Sequence, residues 1–306
     1  MESTAPAKII LFGEHAVVYG EPAIAMAISI RSTVKINRAE KFLINGEVPD
    51  SKFHSYIKKA IELYWKEGPL NVTTKSMIPH ASGLGSSASI TVSTVSSILA
   101  LQNDWSKEKI AKDSFEVEYL VQGTASPTDT STVTSGGVVL VSRHKPTALL
   151  WEIEKEGNRW YLNNIDISQL SLVIGCSSIK GITHEQVEKV RRYVNNSSFA
   201  REVIKEIGDI TVSSIPALKN GDYETLGNLM KKNQKLLSIL GVSIPKIQNM
   251  INEVEKYSYG AKITGAGGGG CIIVLTDEKD EVSKILKDGG WEAYLVKMDK
   301  EGVKAY

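Results

Sequence analysis

Cysteine, histidine and net charge are all scarce in this chain of 306 residues, and each scarcity excludes a class of protein. Cys176 and Cys271 are too few for a disulfide framework and too far apart for a CxxC metal clamp. The five histidines show no HExxH spacing. A formal net charge of +1 provides no long-range field for nucleic acid or an anionic membrane. We therefore expect a reduced protein that holds any anionic ligand by local geometry.

Long hydrophobic runs are also missing. The longest apolar runs, residues 136–141 and 271–275, are far too short to span a bilayer. The chain does not open with a basic segment followed by a long apolar run, so no signal peptide is predicted. A hydrophobic content of 42% and a charged content of 23% are typical of globular proteins. These features predict a cytoplasmic protein with two domains or one large one.

Hydrophobic periodicity predicts strands and helices that alternate along the chain, and hence a mixed α and β fold. Strands are predicted at 7–12, 23–38, 42–48, 136–142, 171–176, 261–264, 271–276 and 292–298. Helices are predicted at 53–66, 107–122, 226–240, 247–254 and 278–288. A further helix is predicted to begin at Thr183, because Thr183 and Gln186 have the spacing of a capping box. Residues 145–165 are polar and lack a long periodic element. We place a domain boundary there.

The segment PHASGLGSSAS, residues 79–89, has the composition of a phosphate-binding loop. Gly83 and Gly85 allow backbone angles that other residues avoid. Ser86 and Ser87 suit the start of a helix, where free N–H groups bind anions, and their hydroxyls can reach a magnesium ion. The alternative is a flexible loop that leads into a strand, because SITVSTVSSI is rich in β-branched residues.

A second glycine segment, ITGAGGGGC at 263–271, formally satisfies the GxGxxG dinucleotide pattern. That pattern requires a helix directly after the glycines, in an early strand–helix–strand unit. Here the strand-like CIIVL follows, and the segment lies late in the chain. We instead expect a glycine loop whose backbone closely approaches a substrate or phosphate.

Charged residues lie in apolar or small-residue settings at five positions: Lys8, Glu14, His15, Glu118 and Asp129. Each alone is more often structural than functional. Together they supply a cation, a base and a metal carboxylate, which phosphoryl transfer requires beside an anion-binding loop. The GxxxxGK[ST] loop and the HRD and DFG segments of other kinases are absent.

Three segments, APAKIILFGEHAVVYGEPAIA, GLGSSAS and KITGAGGGGC, resemble the three motifs of the GHMP kinases (galactose, homoserine, mevalonate and phosphomevalonate kinases). The resemblance implies an α+β, two-domain fold. Residues 1–165 would form a ribosomal-protein-like α/β domain with a left-handed crossover, and residues 166–306 a ferredoxin-like domain. ATP and substrate would lie in the cleft between the two domains.

The resemblance also implies a role for each matching residue. Asp129 would be the catalytic base, Lys8 would orient it, and Glu118 and Ser87 would hold Mg²⁺. The residues expected to contact ATP are Pro79, Ser82, Gly83, Leu84, Gly85, Ser86, Ser87, Ala88 and Ser89. The residues expected to contact the acceptor are Lys8, Glu14, His15, Asp129, Thr264, Gly265 and Ala266.

Within the family, GEHAVVYG and the four-glycine run resemble the mevalonate kinases, which implies mevalonate as the acceptor in a reaction of isoprenoid biosynthesis. One departure is Thr128, where the family's PSGxD segment has a glycine; it could narrow the pocket. The alternatives are a kinase of another small alcohol or of phosphomevalonate, a diphosphomevalonate decarboxylase, or a ligand sensor without catalysis. The expected partners are mevalonate and MgATP, with no nucleic acid or membrane, and a homodimer is possible.

Overall fold

The computed structural model describes residues 1–50, 54–79, 82–123 and 125–306, in which twelve strands and nine α-helices are numbered in chain order. The strands are β1 (Glu2–Phe12), β2 (Ala23–Arg38), β3 (Leu43–Ile44), β4 (Leu70–Ser76), β5 (Val138–Ser142), β6 (Trp151–Lys155), β7 (Asn158–Ile165), β8 (Ser171–Cys176), β9 (Gly260–Ile263), β10 (Cys271–Leu275), β11 (Glu292–Lys297) and β12 (Lys304–Ala305). The helices are α1 (Ser55–Tyr64), α2 (Ser86–Leu101), α3 (Lys107–Gln122), α4 (Thr128–Ser135), α5 (Thr183–Asn196), α6 (Ser198–Asn220), α7 (Tyr223–Ile239), α8 (Pro245–Val254) and α9 (Lys279–Asp288).

Strand β2 lies at the centre of the larger sheet and pairs along both of its edges. One edge pairs with β1. The other edge pairs with β5 over residues 23–26 and with β4 over residues 32–38. Strand β12 extends the sheet beyond β1, while β7 and β6 extend it beyond β5. These pairings are antiparallel, and β3 adds to β4 in parallel.

Helices α1 to α4 form a layer against this sheet. Helix α2 packs on β1 and β2, and its neighbours are α1, α3 and α4. Its buried side chains Val92, Val95 and Ile98 join an apolar cluster with residues of β2 and β4. Because Lys8 belongs to β1 and Asp129 to α4, this packing brings the two charges to the same region.

The smaller sheet has the antiparallel order β11, β8, β10, β9 among the described residues. Helices α8 and α9 pack on it, and α7 packs beside β9. An apolar cluster links the two sheets, since it contains Ile9 and Leu11 of β1 together with Ile174 of β8 and Met230 of α7. The chain segments that carry the glycine motifs of both halves therefore meet over a shared core. The mixed α and β class predicted from the sequence is confirmed.

Two local predictions are wrong. Residues 145–165 contain the hairpin of β6 and β7, which lengthens the larger sheet, so this region is not an irregular linker. The capping box at Thr183 does not form, because Ile182 occupies the cap position and no side-chain cap bond is present. The division into domains at 165/166 stays a prediction, and the strand β12 beyond it pairs with β1. Of the helix predicted at 53–66, Phe53 lies outside the described residues.

The two cysteines also differ from expectation. Cys176 and Cys271 face each other across β8 and β10 and form a disulfide. The prediction that the protein is reduced is therefore wrong for this structure. The pair joins the end of β8 to the residue that directly follows the four glycines. Separately, none of the helices in the described parts of the chain combines the length and hydropathy that crossing a bilayer requires.

Candidate active site

Lys8 and Asp129 form an ion pair in which Lys8 Nζ lies 3.0 Å from Asp129 Oδ2. Lys8 is buried within β1, whereas the Asp129 side chain is 31% exposed at the first turn of α4. Lys8 Nζ also donates to the carbonyl oxygen of Gly83 at 3.1 Å. The lysine is therefore held between the candidate phosphate loop and a carboxylate that solvent or a ligand can reach.

The loop before α2 has the geometry of an anion site. Gly83 and Gly85 adopt φ values of +77° and +75°, and the helix begins at Ser86. The Leu84 carbonyl accepts a hydrogen bond from the Lys8 backbone N–H at 2.9 Å, which fixes the loop to β1. The free N–H groups of the first turn thus face the same region as the Lys8–Asp129 pair, as a phosphate group requires. His80 of the motif lies outside the described residues.

The residues after Gly85 form a helix, not the strand that their β-branched character allowed. Two threonine hydroxyls bond within the helix: Thr91 and Thr94 donate to carbonyls one turn earlier at 2.8 and 2.7 Å. The Ser97 hydroxyl donates across to the sheet, to Val34 O at 3.2 Å. Packing on the sheet therefore overrides a weak helix propensity.

The side chains of some residues predicted to contact ATP pack within the protein. Ser89 donates its hydroxyl to Ala5 O at 2.9 Å and its backbone N–H to Gly85 O at 2.9 Å, and it is fully buried. Ala88 is fully buried in the core between α2 and the sheet. Ser82 bonds to the Pro79 carbonyl at 2.7 Å. Their side chains support the loop's shape, which leaves the backbone near Gly83–Ser87 for phosphate.

The space between Gly85 and the Lys8 side chain is too small for a methyl group. A Cβ there would lie 2.7 Å from Lys8 Cγ and 2.9 Å from Cε, so the lysine must move away from Asp129. We expect Gly85→Ala to lower kcat by about 10²-fold, because misplacement of a positioning group costs rate steeply. The matched control is Gly46→Ala, since Gly46 also has a positive φ but has nothing within 4 Å. Equal turnover of the two variants in a steady-state assay would contradict this contact-based effect.

Glu118 is a buried carboxylate on α3 that lies close to Ser87. Burial and the nearby charge of Asp129 raise the pKa of Glu118 to about 8, while Lys8 and Ser87 oppose this rise. Among the described residues no lysine, arginine or histidine forms an ion pair with Glu118, and a divalent ion beside it would favour its charged form. A carboxylate and a hydroxyl fit magnesium, which takes oxygen ligands and completes its shell with phosphates and water. Within the described residues no cluster of three or more His, Cys, Asp or Glu side chains could hold a metal without such help.

Tyr56 of α1 lies near Glu118, and no sequence motif selects it. Its phenol oxygen accepts a hydrogen bond from Gln122 Nε2 at 3.1 Å. Burial and the negative charge of Glu118 raise the pKa of Tyr56, so the phenol stays protonated. An aromatic residue at helical spacing predicts only a core position, which explains why sequence analysis missed it.

Glu14 is buried, and its predicted contact with the acceptor stays a prediction. Its carboxylate is fully buried, where it pairs with Lys262 Nζ and accepts a hydrogen bond from Asn233 Nδ2 at 3.1 Å. Burial lowers the pKa of Lys262, while the Glu14 charge opposes that change. Lys262 and Asn233 lie in β9 and α7, so this ion pair joins the segment after β1 to the other half of the molecule.

His15, Thr264 and Ala266 lie together at the junction of the two halves. His15 Nε2 donates to the Ala266 carbonyl at 2.9 Å. Burial lowers the pKa of His15, so the ring is neutral and its Nδ1 is left as an acceptor. Thr264 accepts from the Ile10 N–H at 2.8 Å and donates to the Ile10 carbonyl at 3.2 Å. These contacts fix the C-terminal glycine segment against β1.

The four-glycine run, residues 267–270, packs against protein, and the expected approach of this glycine segment to a ligand stays a prediction. A Cβ at Gly267 would lie 2.3 Å from Val242 O, and one at Gly269 would lie 2.5 Å from Ile179 O. The segment meets the phosphate loop at Gly265, where an added Cβ would lie 3.4 Å from Gly83 O. The run therefore allows close packing that brings Gly265 beside the loop.

Thr128, the departure from the family pattern, is buried at the start of α4. Its hydroxyl accepts a hydrogen bond from Ser126 Oγ at 2.9 Å. The side chain thus stabilises the turn that presents Asp129. Because the Thr128 side chain points into the protein, it does not narrow the solvent-exposed side of Asp129.

Comparisons with known proteins agree with this arrangement. The family model described as "GHMP kinases N terminal domain" matches residues 55–137, and "GHMP kinases C terminal" matches residues 214–288. The mevalonate kinase of Methanocaldococcus jannaschii is 34% identical over 92% of this chain and 94% of its own length. That of Archaeoglobus fulgidus is 35% identical over 99% of both chains. The crystal structure of the Methanococcus jannaschii mevalonate kinase superposes with a TM-score of 0.79 at 30% identity, covering 97% of this chain and 98% of that one.

Proposed function

Because the chain belongs to the GHMP kinases, and within them to the mevalonate kinases, we propose that it transfers the γ-phosphate of ATP to the primary hydroxyl of mevalonate. The products are 5-phosphomevalonate and ADP, in a reaction of isoprenoid biosynthesis. The observation that carries the proposal is the ion pair of Lys8 and Asp129 beside the glycine loop at the start of α2. This geometry supplies a base, a cation and an anion site within one region.

Each group has a defined task in the proposed reaction. Asp129 accepts the proton of the mevalonate hydroxyl as its oxygen attacks the γ-phosphorus, and Lys8 orients that carboxylate. The backbone N–H groups at the start of α2 bind the ATP phosphates. Glu118 and Ser87 are the residues suited to hold Mg²⁺, which when bound neutralises charge on the phosphates. Since phosphoryl transfer has a loose transition state, positioning and charge neutralisation dominate the rate enhancement.

The alternatives are less well supported. A sensor without catalysis needs neither a base nor a metal carboxylate, yet Lys8, Ser87, Glu118 and Asp129 converge in one region. A kinase of phosphomevalonate or a diphosphomevalonate decarboxylase would require additional basic residues for the phosphate of its acceptor, and the sequence motifs contain no such cluster. A homodimer and a cytoplasmic location stay predictions, and light scattering after gel filtration tests the first.

A substrate panel tests the proposed function. The purified chain is incubated with MgATP and mevalonate, homoserine, galactose or phosphomevalonate, and ADP release is coupled to NADH oxidation. We expect the highest kcat/KM for mevalonate and a product that mass spectrometry identifies as 5-phosphomevalonate. Preference for any of the other three acceptors would refute the substrate assignment.

The metal role of Glu118 is tested by Glu118→Gln, which keeps the shape of the side chain and removes its charge. We expect the Mg²⁺ concentration for half-maximal activity to rise by about 10–100-fold, the scale seen when partners of metal sites are altered. The control is Glu116→Gln on the same helix, because Glu116 pairs with Lys155 at 2.8 Å away from the site. An unchanged magnesium titration for Glu118→Gln would count against its metal role.

A further inference from the structure

Lys262 opens the third sequence motif, KITGAGGGGC, and has no assigned role in the proposed reaction. It lies in β9, where its Nζ forms an ion pair with Glu14 Oε1 and donates to the Ile263 carbonyl at 2.7 Å. Glu14 Oε2 accepts a hydrogen bond from Asn233 Nδ2 of α7 at 3.1 Å. The side chains of the ion pair are both 0% exposed. Both carboxylate oxygens of Glu14 are therefore held within the protein.

The stability of the core does not account for a buried ion pair. Removing two charges from water costs several kcal/mol per ion, and apolar side chains of similar volume are often equally stabilising or more so. An ion pair does restrict the positions of both partners, because a charge that loses its partner in the interior is strongly unfavourable. The pair of Glu14 and Lys262 therefore fixes the chain at residue 14 more firmly than apolar packing would.

His15, the next residue, has a strained backbone. Its φ and ψ are +61° and −41°, and the Ala16 N–H donates to the Glu14 carbonyl at 2.7 Å. These values describe a γ-turn of the rare kind with positive φ, centred on His15. Such strain persists only where the surrounding structure holds the residue in place. Glu14 is the first residue of this turn, so its bonds to Lys262 and Asn233 hold one end of it.

The ring of His15 is held by the same segment of chain that holds Glu14. His15 Nε2 donates to the Ala266 carbonyl at 2.9 Å, four residues after Lys262. Thr264, midway between them, bonds to the N–H and the carbonyl of Ile10 at 2.8 and 3.2 Å. The segment from 262 to 266 thus fixes both the backbone turn and the ring. Of the two ring nitrogens, Nδ1 is the one left for the acceptor.

We propose that Lys262 is a positioning residue for the acceptor: through Glu14, it holds the γ-turn that places the His15 ring at the acceptor site. Asn233 assists from α7 by fixing the second oxygen of Glu14. This inference rests on the proposed function, which supplies the acceptor and its contact with His15. It concerns acceptor affinity and leaves MgATP affinity unaffected, because none of these residues belongs to the loop before α2.

The test separates the effect of the ion pair on the acceptor from its effect on folding. Glu14→Gln combined with Lys262→Met removes both charges and leaves no uncompensated one, so the protein should stay folded. We expect the KM for mevalonate to rise about tenfold, the effect of a misplaced hydrogen bond, and the KM for MgATP to change by less than about twofold. Asn233→Leu keeps the ion pair and is the milder variant; its KM for mevalonate should rise about threefold.

The matched control is Glu206→Gln combined with Lys232→Met. It makes the same two substitutions at an exposed ion pair between α6 and α7, and Lys232 directly precedes Asn233. Both KM values of this control should equal those of the wild type. Urea unfolding of each variant shows that the kinetics are measured on folded protein.

A cycle with His15→Ala identifies the route of the effect. In a His15→Ala background, loss of the ion pair should add nothing to the KM for mevalonate, because the ring that the pair places is gone. The proposal is overturned if loss of the ion pair leaves the KM for mevalonate at the wild-type value, if its effect persists undiminished in His15→Ala, or if the control variant matches it.

The same measurements distinguish this inference from the proposed function. Preference of the wild-type chain for a different acceptor would refute only the assignment of mevalonate, and the KM for that acceptor then takes its place in the comparison. Wild-type turnover of mevalonate together with an unchanged KM after loss of the ion pair would refute only the role of Lys262.

Discussion

Asp129→Asn is expected to lower kcat by about 10²–10⁴-fold, the usual contribution of a general base. The amide has nearly the shape of the carboxylate but cannot accept the proton of the attacking hydroxyl. It also removes the charge that faces Lys8 Nζ at 3.0 Å. Since Asp129 is partly exposed and lies at the surface of the site, the fold should persist.

Steady-state kinetics and nucleotide binding check this prediction together. MgATP affinity, measured by calorimetry, should stay within a few-fold of wild type, because the phosphate loop is not altered. Asp288→Asn serves as control, since Asp288 is exposed at the end of α9 and its side chain is 69% accessible. Activity of Asp129→Asn near the wild-type level would show that another group takes the proton.

Lys262→Met is expected to destabilise the protein by about 3–5 kcal/mol. The substitution removes the partner of Glu14 and leaves a carboxylate at 0% exposure without a compensating charge. The hydrogen bond from Asn233 at 3.1 Å cannot replace a full positive charge. Urea unfolding, followed by tryptophan fluorescence, measures the loss.

Two further variants identify the cause. Lys284→Met removes an exposed pair with Asp288, 3.5 Å apart, and should change stability by less than about 1 kcal/mol. Glu14→Gln combined with Lys262→Met should recover much of the stability, because the uncompensated charge is then absent. A loss below about 1 kcal/mol for Lys262→Met alone would mean that water reaches Glu14 in the folded protein.

Local signals in the sequence were sufficient for several elements. Helix α3 runs from Lys107 to Gln122 as predicted, because the Ser106 side chain caps its start and Gly123 adopts a left-handed conformation at its end. Strand β2 also has its predicted bounds of 23–38. Where a cap, a stop residue and the hydrophobic periodicity agree, the bounds of an element can be predicted without knowledge of its tertiary contacts.

Other elements depend on contacts that no local pattern contains. The residues of α4, TDTSTVTS, have low helix propensity, and the helix exists because they are almost all buried and Thr132 and Thr134 bond back to earlier carbonyls at 2.7 Å. The hairpin at 151–165 has alternating buried residues such as Trp160 and Leu162, but intervening charged and amide side chains conceal the alternation. Packing overrode propensity in both cases.

The candidate site shows the same division. Motif resemblance selected Lys8, Ser87, Glu118 and Asp129, and the structure brings these side chains together; their roles stay predictions until variants are measured. The burial of Glu14 against Lys262 could not be foreseen, because the partner is far away in sequence and a lysine in a strand predicts an exposed position.

The pairing of β12 with β1 has a consequence for synthesis. Ser3 lies opposite Ala305. The edge of β1 that β12 covers near Ser3 therefore stays unpaired until the ribosome has made β12. At usual bacterial or eukaryotic elongation rates that interval is roughly tens of seconds. An open edge strand can pair with another chain during this time, so the risk of aggregation is greatest before β12 is in place.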